Sequence, residues 1–197
     1  MSTNRKAFPH HYYSLDEYFA LEKTSDARFE YWAGEIVCMS GGSQRHYRIS
    51  SNVVVALQLQ LRGGRCQAFT GDLPVRTPTL PPYRYPDVTV ACGDLQFHSV
   101  QGIDVLINPV LLVEVVSPAT ALRDENEKFG AYQALPTFME YLLISQEARR
   151  VIHYTRQSDG KWMRADVADA GAILVLNSIG CSLPLREIYE GVAFEDA

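Results

Sequence analysis

An α/β fold with one mixed central sheet is what this sequence predicts, on three observations. Short strand-like segments are interleaved with only a few helical ones, in mixed order. The run Pro109-Val-Leu-Leu-Val-Glu-Val-Val116 is almost continuously apolar, the mark of a strand covered on both faces. Ile49, Val53, Leu57 and Leu61 recur every fourth residue, the stripe of an amphipathic helix.

The elements follow in chain order. Ser14 with Glu17 three residues later is the spacing of a capping box, so a short helix is expected over 14–22. The segment 27–39 alternates and carries Ala33-Gly34 at its middle, which predicts a hairpin or bent strand. The main helix runs from about Ser43 to Arg62, entered from Gly41-Gly42 and stopped by Gly63-Gly64. Strands are expected at 66–70, 73–77, 85–92 and 109–116. A helix over Thr120–Leu135 ends at Pro136. Strands at 138–145, 149–156 and 161–167 follow, the last two joined by the turn residues Ser158-Asp159-Gly160.

Length and composition set the frame. The 197 residues are 47% hydrophobic and 21% charged, ordinary globular values that exclude a disordered or fibrous chain. The expected layout is an N-terminal extension over 1–13, one domain over 14–190 and a short tail over 191–197. No apolar run approaches the roughly 20 residues of a membrane span. No secretory signal is visible at the start, so a cytoplasmic location is expected. Cys38, Cys66, Cys92 and Cys181 are widely scattered, which argues against a zinc site or a disulfide framework and predicts four small, mostly buried hydrophobes.

The formal charge of −5 argues at first against a nucleic-acid partner. Its distribution says otherwise. Between Ile36 and Pro86 stand Arg45, Arg48, Arg62, Arg65, Arg76 and Arg84 against the single acid Asp72. Such a stretch is either an ordinary solvated face or a local phosphate-attracting patch. The helix start at Gly41-Gly-Ser43, with Arg45 and His46 close behind, is suited to phosphate because free N–H groups and the helix dipole favour anions there.

Two acids stand where an ordinary sheet would not put them. Strand alternation places Glu114 on the face of Leu112 and Val116, where an unrelieved carboxylate costs several kcal/mol. Asp87 follows Pro86 at the opening of another apolar strand. Two carboxylates on neighbouring strands form a hard oxygen site suited to Mg²⁺ or Mn²⁺. Lys128, Tyr132 and Leu135 fall on one helical face, which directs the lysine toward the sheet, where it can orient an attacking water. Structural alternatives stand beside each: a Glu114–Arg pair, a strand-start cap for Asp87, a snorkelling surface chain for Lys128 and a satisfied core histidine for His46.

These residues resemble a known family. Arg28-Phe-Glu30, Gly34-Glu35-Ile36-Val37, His46, Tyr85-Pro86-Asp87, Leu112-Val-Glu114-Val-Val-Ser117-Pro118-Ala-Thr120, Glu127-Lys128-Phe129 and Glu140-Tyr141-Leu142 are similar to the Uma-two family of restriction-endonuclease-like proteins, within the PD-(D/E)xK nuclease superfamily. The resemblance runs from about Ser14 to Tyr189. It implies a restriction-endonuclease-like core, a mixed central sheet flanked by helices, with Asp87 and Glu114 as metal ligands and catalytic acids, Lys128 as the catalytic lysine, and Glu30 and His46 in support. The chain departs from the superfamily pattern at Val116, two residues past Glu114, where a catalytic lysine would stand; in the resembling family the lysine has moved to the following helix, matching Lys128.

The leading expectation is therefore a Mg²⁺- or Mn²⁺-dependent endonuclease acting on DNA, with Arg45 and Arg48 meeting the nucleic acid and a homodimer expected by analogy. A catalytically silent nucleic-acid-binding or assembly module on the same scaffold is the alternative. Glycoside hydrolysis by two carboxylates ranks last, because it leaves the lysine without a role.

Overall fold

A computed structural model describes residues 11–39, 41–79 and 82–194. Residues 1–10 of the expected extension, including His10, and 195–197 of the expected tail lie outside the described residues. The chain divides into two compact units, residues 1–41 and 42–197.

The first unit holds α1 (Leu15–Thr24), β1 (Phe29–Trp32) and β2 (Glu35–Cys38). Ser14 caps α1 through the predicted reciprocal box with Glu17. β1 and β2 form an antiparallel hairpin, Phe29 opposite Cys38. Its turn uses positive φ at both Ala33 (48°) and Gly34 (97°), the hand that matches the twist of a tight hairpin. The helix is tied to β1 by Tyr18, whose hydroxyl donates to the Phe29 carbonyl at 2.9 Å, and by Glu22, which accepts from the Phe29 N–H at 2.6 Å.

The second unit begins with α2 (Gln44–Leu61), followed by β3 (Cys66–Thr70), β4 (Val75–Arg76), β5 (Tyr83–Arg84), β6 (Val88–Cys92), β7 (Phe97–Val100), β8 (Ile103–Leu106) and β9 (Pro109–Val116). Three short helical pieces come next: α3 (Ala121–Arg123), a π-helical turn (Asp124–Lys128) and α4 (Phe129–Gln133). The chain closes with β10 (Glu140–Ser145), β11 (Val151–Arg156), β12 (Trp162–Val167), the hairpin β13 (Ile173–Leu176) and β14 (Cys181–Pro184), and α5 (Leu185–Ile188).

The central sheet has six strands in the order β12-β11-β10-β9-β6-β3. β9 and β10 are parallel and the other neighbours antiparallel, so the sheet is mixed as expected. A second sheet of four short strands runs β5-β4-β8-β7. β9 is buried along nearly its whole length, as its apolar run predicts. Its odd-numbered residues Leu111, Val113 and Val115 join the cluster formed with Ile49, Val53 and Leu57 of α2. Its even-numbered Leu112 and Val116 join a second cluster with Phe129, Tyr132, Phe138 and Tyr141. No helix among the described residues is long and apolar enough to cross a membrane.

Two expectations are corrected. The single helix over 120–135 is broken: the Phe129 N–H reaches back to the Asp124 carbonyl, five residues away, so the middle of the segment winds as a π turn. Cys66 and Cys92 are not separate apolar fillers but a disulfide across the β3–β6 pair, and Cys38 is exposed; only Cys181 is a buried free thiol. The 26-residue separation hides a pairing that antiparallel register makes direct.

Candidate active site

The site grows from the middle of the sheet. β6 pairs Val88 with Val113, so the next step along the two antiparallel strands brings Asp87 level with Glu114. Asp87 stands just ahead of β6 after buried Pro86, and its Oδ2 accepts the backbone N–H of Val115 at 2.6 Å. That bond registers one acid against the strand carrying the other. Glu114 lies on the predicted face of β9 and is 3% exposed.

A lysine relieves this buried carboxylate. Lys128 Nζ donates to Glu114 Oε2 at 3.1 Å and the Tyr132 hydroxyl donates to Oε1 at 3.2 Å. The predicted Lys128/Tyr132 face therefore grips both oxygens of one acid. Lys128 also sits 3.2 Å from Asp124 Oδ1, one acid before and one across from it. All three side chains of this trio are buried, a situation tolerable only when charges are paired and hydrogen-bonded. The Asp124 carbonyl accepts from the Tyr141 hydroxyl at 3.1 Å, which anchors the π turn to β10.

Sequence reasoning did not single out Asp124. The signal was present: an acid four residues before a lysine is the spacing of a helical ion pair. The run 124–127 reads instead as an acidic helix start, which conceals the one acid that turns inward.

His46 reaches Asp87 from α2, Nε2 lying 3.1 Å from Oδ1. That hydrogen bond raises the imidazole above its usual pKa, against the opposing effect of burial. Ser43 caps the helix, its Oγ accepting the His46 N–H at 3.0 Å while bonding to Gln146 Oε1. Part of the expected phosphate-binding helix start is thus occupied by the protein's own hydroxyl.

Arg45 and Arg48 lie in the first turns of α2 and, with Phe194, line a cavity of about 300 Å³. Arg45 is within 3.3 Å of Glu147 and 5.6 Å of the Phe194 ring centroid, with Arg149 at 5.1 Å from the same ring. The basic stretch does not form one patch. Arg62 and Arg65 follow the other end of a helix about 27 Å long, and Arg84 is buried, 4% exposed. Glu30 lies on β1 in the first unit, buried, and accepts from Trp32 Nε1 at 3.1 Å.

The donor set is suited to a hard divalent ion. Mg²⁺ is commonly held by one or two carboxylates plus water, and Asp87 and Glu114 supply two from adjacent strands. Among the described residues no cluster of three or more His, Cys, Asp or Glu side chains forms a metal cage.

Comparison with known proteins adds a family and a fold. Residues 15–186 match the family model described as "Uma2: Putative restriction endonuclease". The chain is 35% identical over 181 residues to the uncharacterized protein slr1290 of Synechocystis sp. (strain ATCC 27184 / PCC 6803 / Kazusa), covering 92% of this chain and 93% of that one. It is 33% identical over 156 residues to sll1609 of the same organism, covering 79% and 88%. The crystal structure of "a putative nuclease belonging to DUF820" from Anabaena variabilis ATCC 29413 is similar in fold, with a TM-score of 0.71 and 18% identity, covering 91% of this chain and 98% of that one.

Proposed function

The chain belongs to the Uma2 family of restriction-endonuclease-like proteins, and from that premise we propose that it is a Mg²⁺- or Mn²⁺-dependent endonuclease hydrolysing DNA phosphodiester bonds. One observation carries the reading: a buried lysine shared by two acids, with a second strand's carboxylate registered beside it through Val115. A structural ion pair needs only one acid and one base. Here the acid pair and the lysine converge at one end of two neighbouring strands.

In this reading Asp87 and Glu114 hold the ion, which when bound lowers the pKa of water and offsets phosphate charge. Lys128 lies between Glu114 and Asp124 and presents an N–H to the attacking water. Tyr132 fixes the second oxygen of Glu114, so the carboxylate keeps one orientation. His46 positions Asp87 from the opposite side. Arg45 and Arg48 meet backbone phosphates at the helix start. The supporting role of Glu30 rests on the sequence motif alone.

The test is cleavage of plasmid DNA by purified protein with Mg²⁺ or Mn²⁺, against Asp87→Asn and Glu114→Gln. Each substitution is expected to lower the rate by at least about 100-fold with the fold intact by circular dichroism. Equal activity in wild type and variants assigns the cleavage to a contaminant and ends the proposal. One observation favours the silent-module alternative: all four oxygens of Asp87 and Glu114 are engaged by protein donors. That alternative predicts no cleavage but salt-sensitive DNA binding that survives loss of both acids and weakens on replacing Arg45 and Arg48.

A further inference from the structure

We propose that the cleft beside Asp87 takes a single unpaired nucleotide with its base stacked on Tyr47, so that the preferred substrate is DNA that is single-stranded at the cut. This deepens the nuclease reading and rests on it. The cleft holds about 340 Å³ and is lined by His46, Tyr47 and Ser50 of α2 together with Thr70, Asp72 and Asp87. That volume falls within the roughly 300–1,000 Å³ of small-ligand sites. It exceeds by about tenfold the roughly 30 Å³ of one water, so it is more than the berth of a lone ion.

The lining selects the part of the nucleotide that enters. Among the described residues no lysine or arginine borders the cleft, and two carboxylates do. Away from the proposed ion, the two carboxylates disfavour a further phosphate there. A base and its sugar are neutral and rich in N–H and O–H donors, which carboxylates and hydroxyls accept well. The phosphates are left to Arg45 and Arg48, one to two residues from the lining histidine on the same helix.

Two side chains point to a ligand independently. Ser50 Oγ is buried and has no hydrogen-bond partner among the described residues, an uncommon state for a polar atom. A turn of the side chain about χ1 toward the cleft would offer it to a bound base or sugar. Tyr47 is 52% exposed, yet its ring is held: its hydroxyl accepts the Gly42 N–H, and the ring meets His46 edge-on with centroids 5.9 Å apart. A fixed, open aromatic ring beside a pair of acids is a stacking platform. Paired bases already spend both faces in the duplex stack, whereas an unpaired base can be splayed onto such a ring.

Fluorescence anisotropy in EDTA separates the possibilities, using the full chain and a labelled 15-nucleotide DNA, single-stranded or annealed. Wild type is expected to bind the single strand about ten times more tightly than the duplex. Tyr47→Ala should abolish that preference while duplex affinity stays unchanged, and Tyr47→Phe, which keeps the ring, should retain most of it. Ser50→Ala should weaken single-strand binding without lowering the melting temperature, the opposite of a purely structural hydroxyl. Equal binding of both DNAs by wild type, or equal losses on both in Tyr47→Ala, overturns the inference while the cleavage result stands by itself. A preserved single-strand preference with no cleavage keeps the nucleotide cleft and refutes the nuclease.

Discussion

The two faces of the six-stranded sheet carry opposite chemistry on the same strands. On the α2 side, Leu111, Val113, Val115, Leu142 and Ile144 meet Ile49, Val53 and Leu57, an almost wholly aliphatic layer. On the other side, Leu112, Val116 and Leu143 meet Phe129, Tyr132, Phe138 and Tyr141, an aromatic layer. The buried charges Glu114, Asp124 and Lys128 belong with the second layer. Aromatic rings bring volume and, when they are tyrosines, a hydroxyl. Tyr132 and Tyr141 spend theirs on Glu114 and on the π turn. The aliphatic residues packed on β9 have no such handle; the buried acid of that face, Glu140 on β10, takes its donors from the Asn177 N–H and the Ser178 hydroxyl instead. The difference shows why the acid stands on an even position of β9 and not an odd one.

Removing a charge should break the aromatic side most severely. Lys128→Met leaves Glu114 and Asp124 facing one another in the interior, and the expected loss is about 3–5 kcal/mol in urea unfolding. A loss below about 1 kcal/mol would mean that the lysine does not hold that face together. The aliphatic side is probed by Leu57→Ala, fully buried in wild type, for which about 2–5 kcal/mol of destabilisation is expected. Because Leu57 touches none of the charged trio, cleavage per folded molecule should stay unchanged; a parallel fall in activity would show that the faces are coupled.

A third measurement addresses a buried hydroxyl of the aliphatic side. Tyr189 packs in that layer, its single O–H shared between the Ser145 and Arg150 carbonyls at 3.1 and 2.8 Å, and its oxygen accepts the Arg150 N–H at 3.0 Å. Burial pushes its phenol up to about 12 from the ordinary 10.0. A raised value favours the protonated, folded form. Its contribution is therefore complete below pH 10 and is lost as pH rises from about 10 to 12, by about 3 kcal/mol. In Tyr189→Phe that part of the alkaline slope should vanish; an unchanged slope would assign it to other groups.

The aliphatic side was also the more legible in sequence. Period-four spacing of Ile49, Val53, Leu57 and Leu61 and the apolar run of β9 declare their partners without help from the rest of the chain. The lysine and tyrosine of the aromatic side were legible too, as one helical face directed at the sheet. The winding between them was not, because a π turn depends on where Asp124 and Tyr141 meet, and no local spacing records that. The Cys66–Cys92 bridge and the grip of His46 on Asp87 were hidden for the same reason: both depend on partners far apart in the chain. The hairpins β7–β8 and β13–β14 alternate too weakly and too briefly to stand out, with Phe97, Ile173 and Val175 left exposed.

The two halves of the acid pair are also unequal in how far along the chain their partners lie. Glu114 finds Lys128 only 14 residues away, whereas Asp87 finds His46 across 41. Closing the longer loop costs about 1 kcal/mol more chain entropy. As the chain gathers, the lysine half needs little more than β9 and the segment after it, while the histidine half must wait for α2 to dock. By chain separation the lysine contact is the local event, β6–β9 pairing seats the second carboxylate, and the histidine's grip on it is the most distant closure.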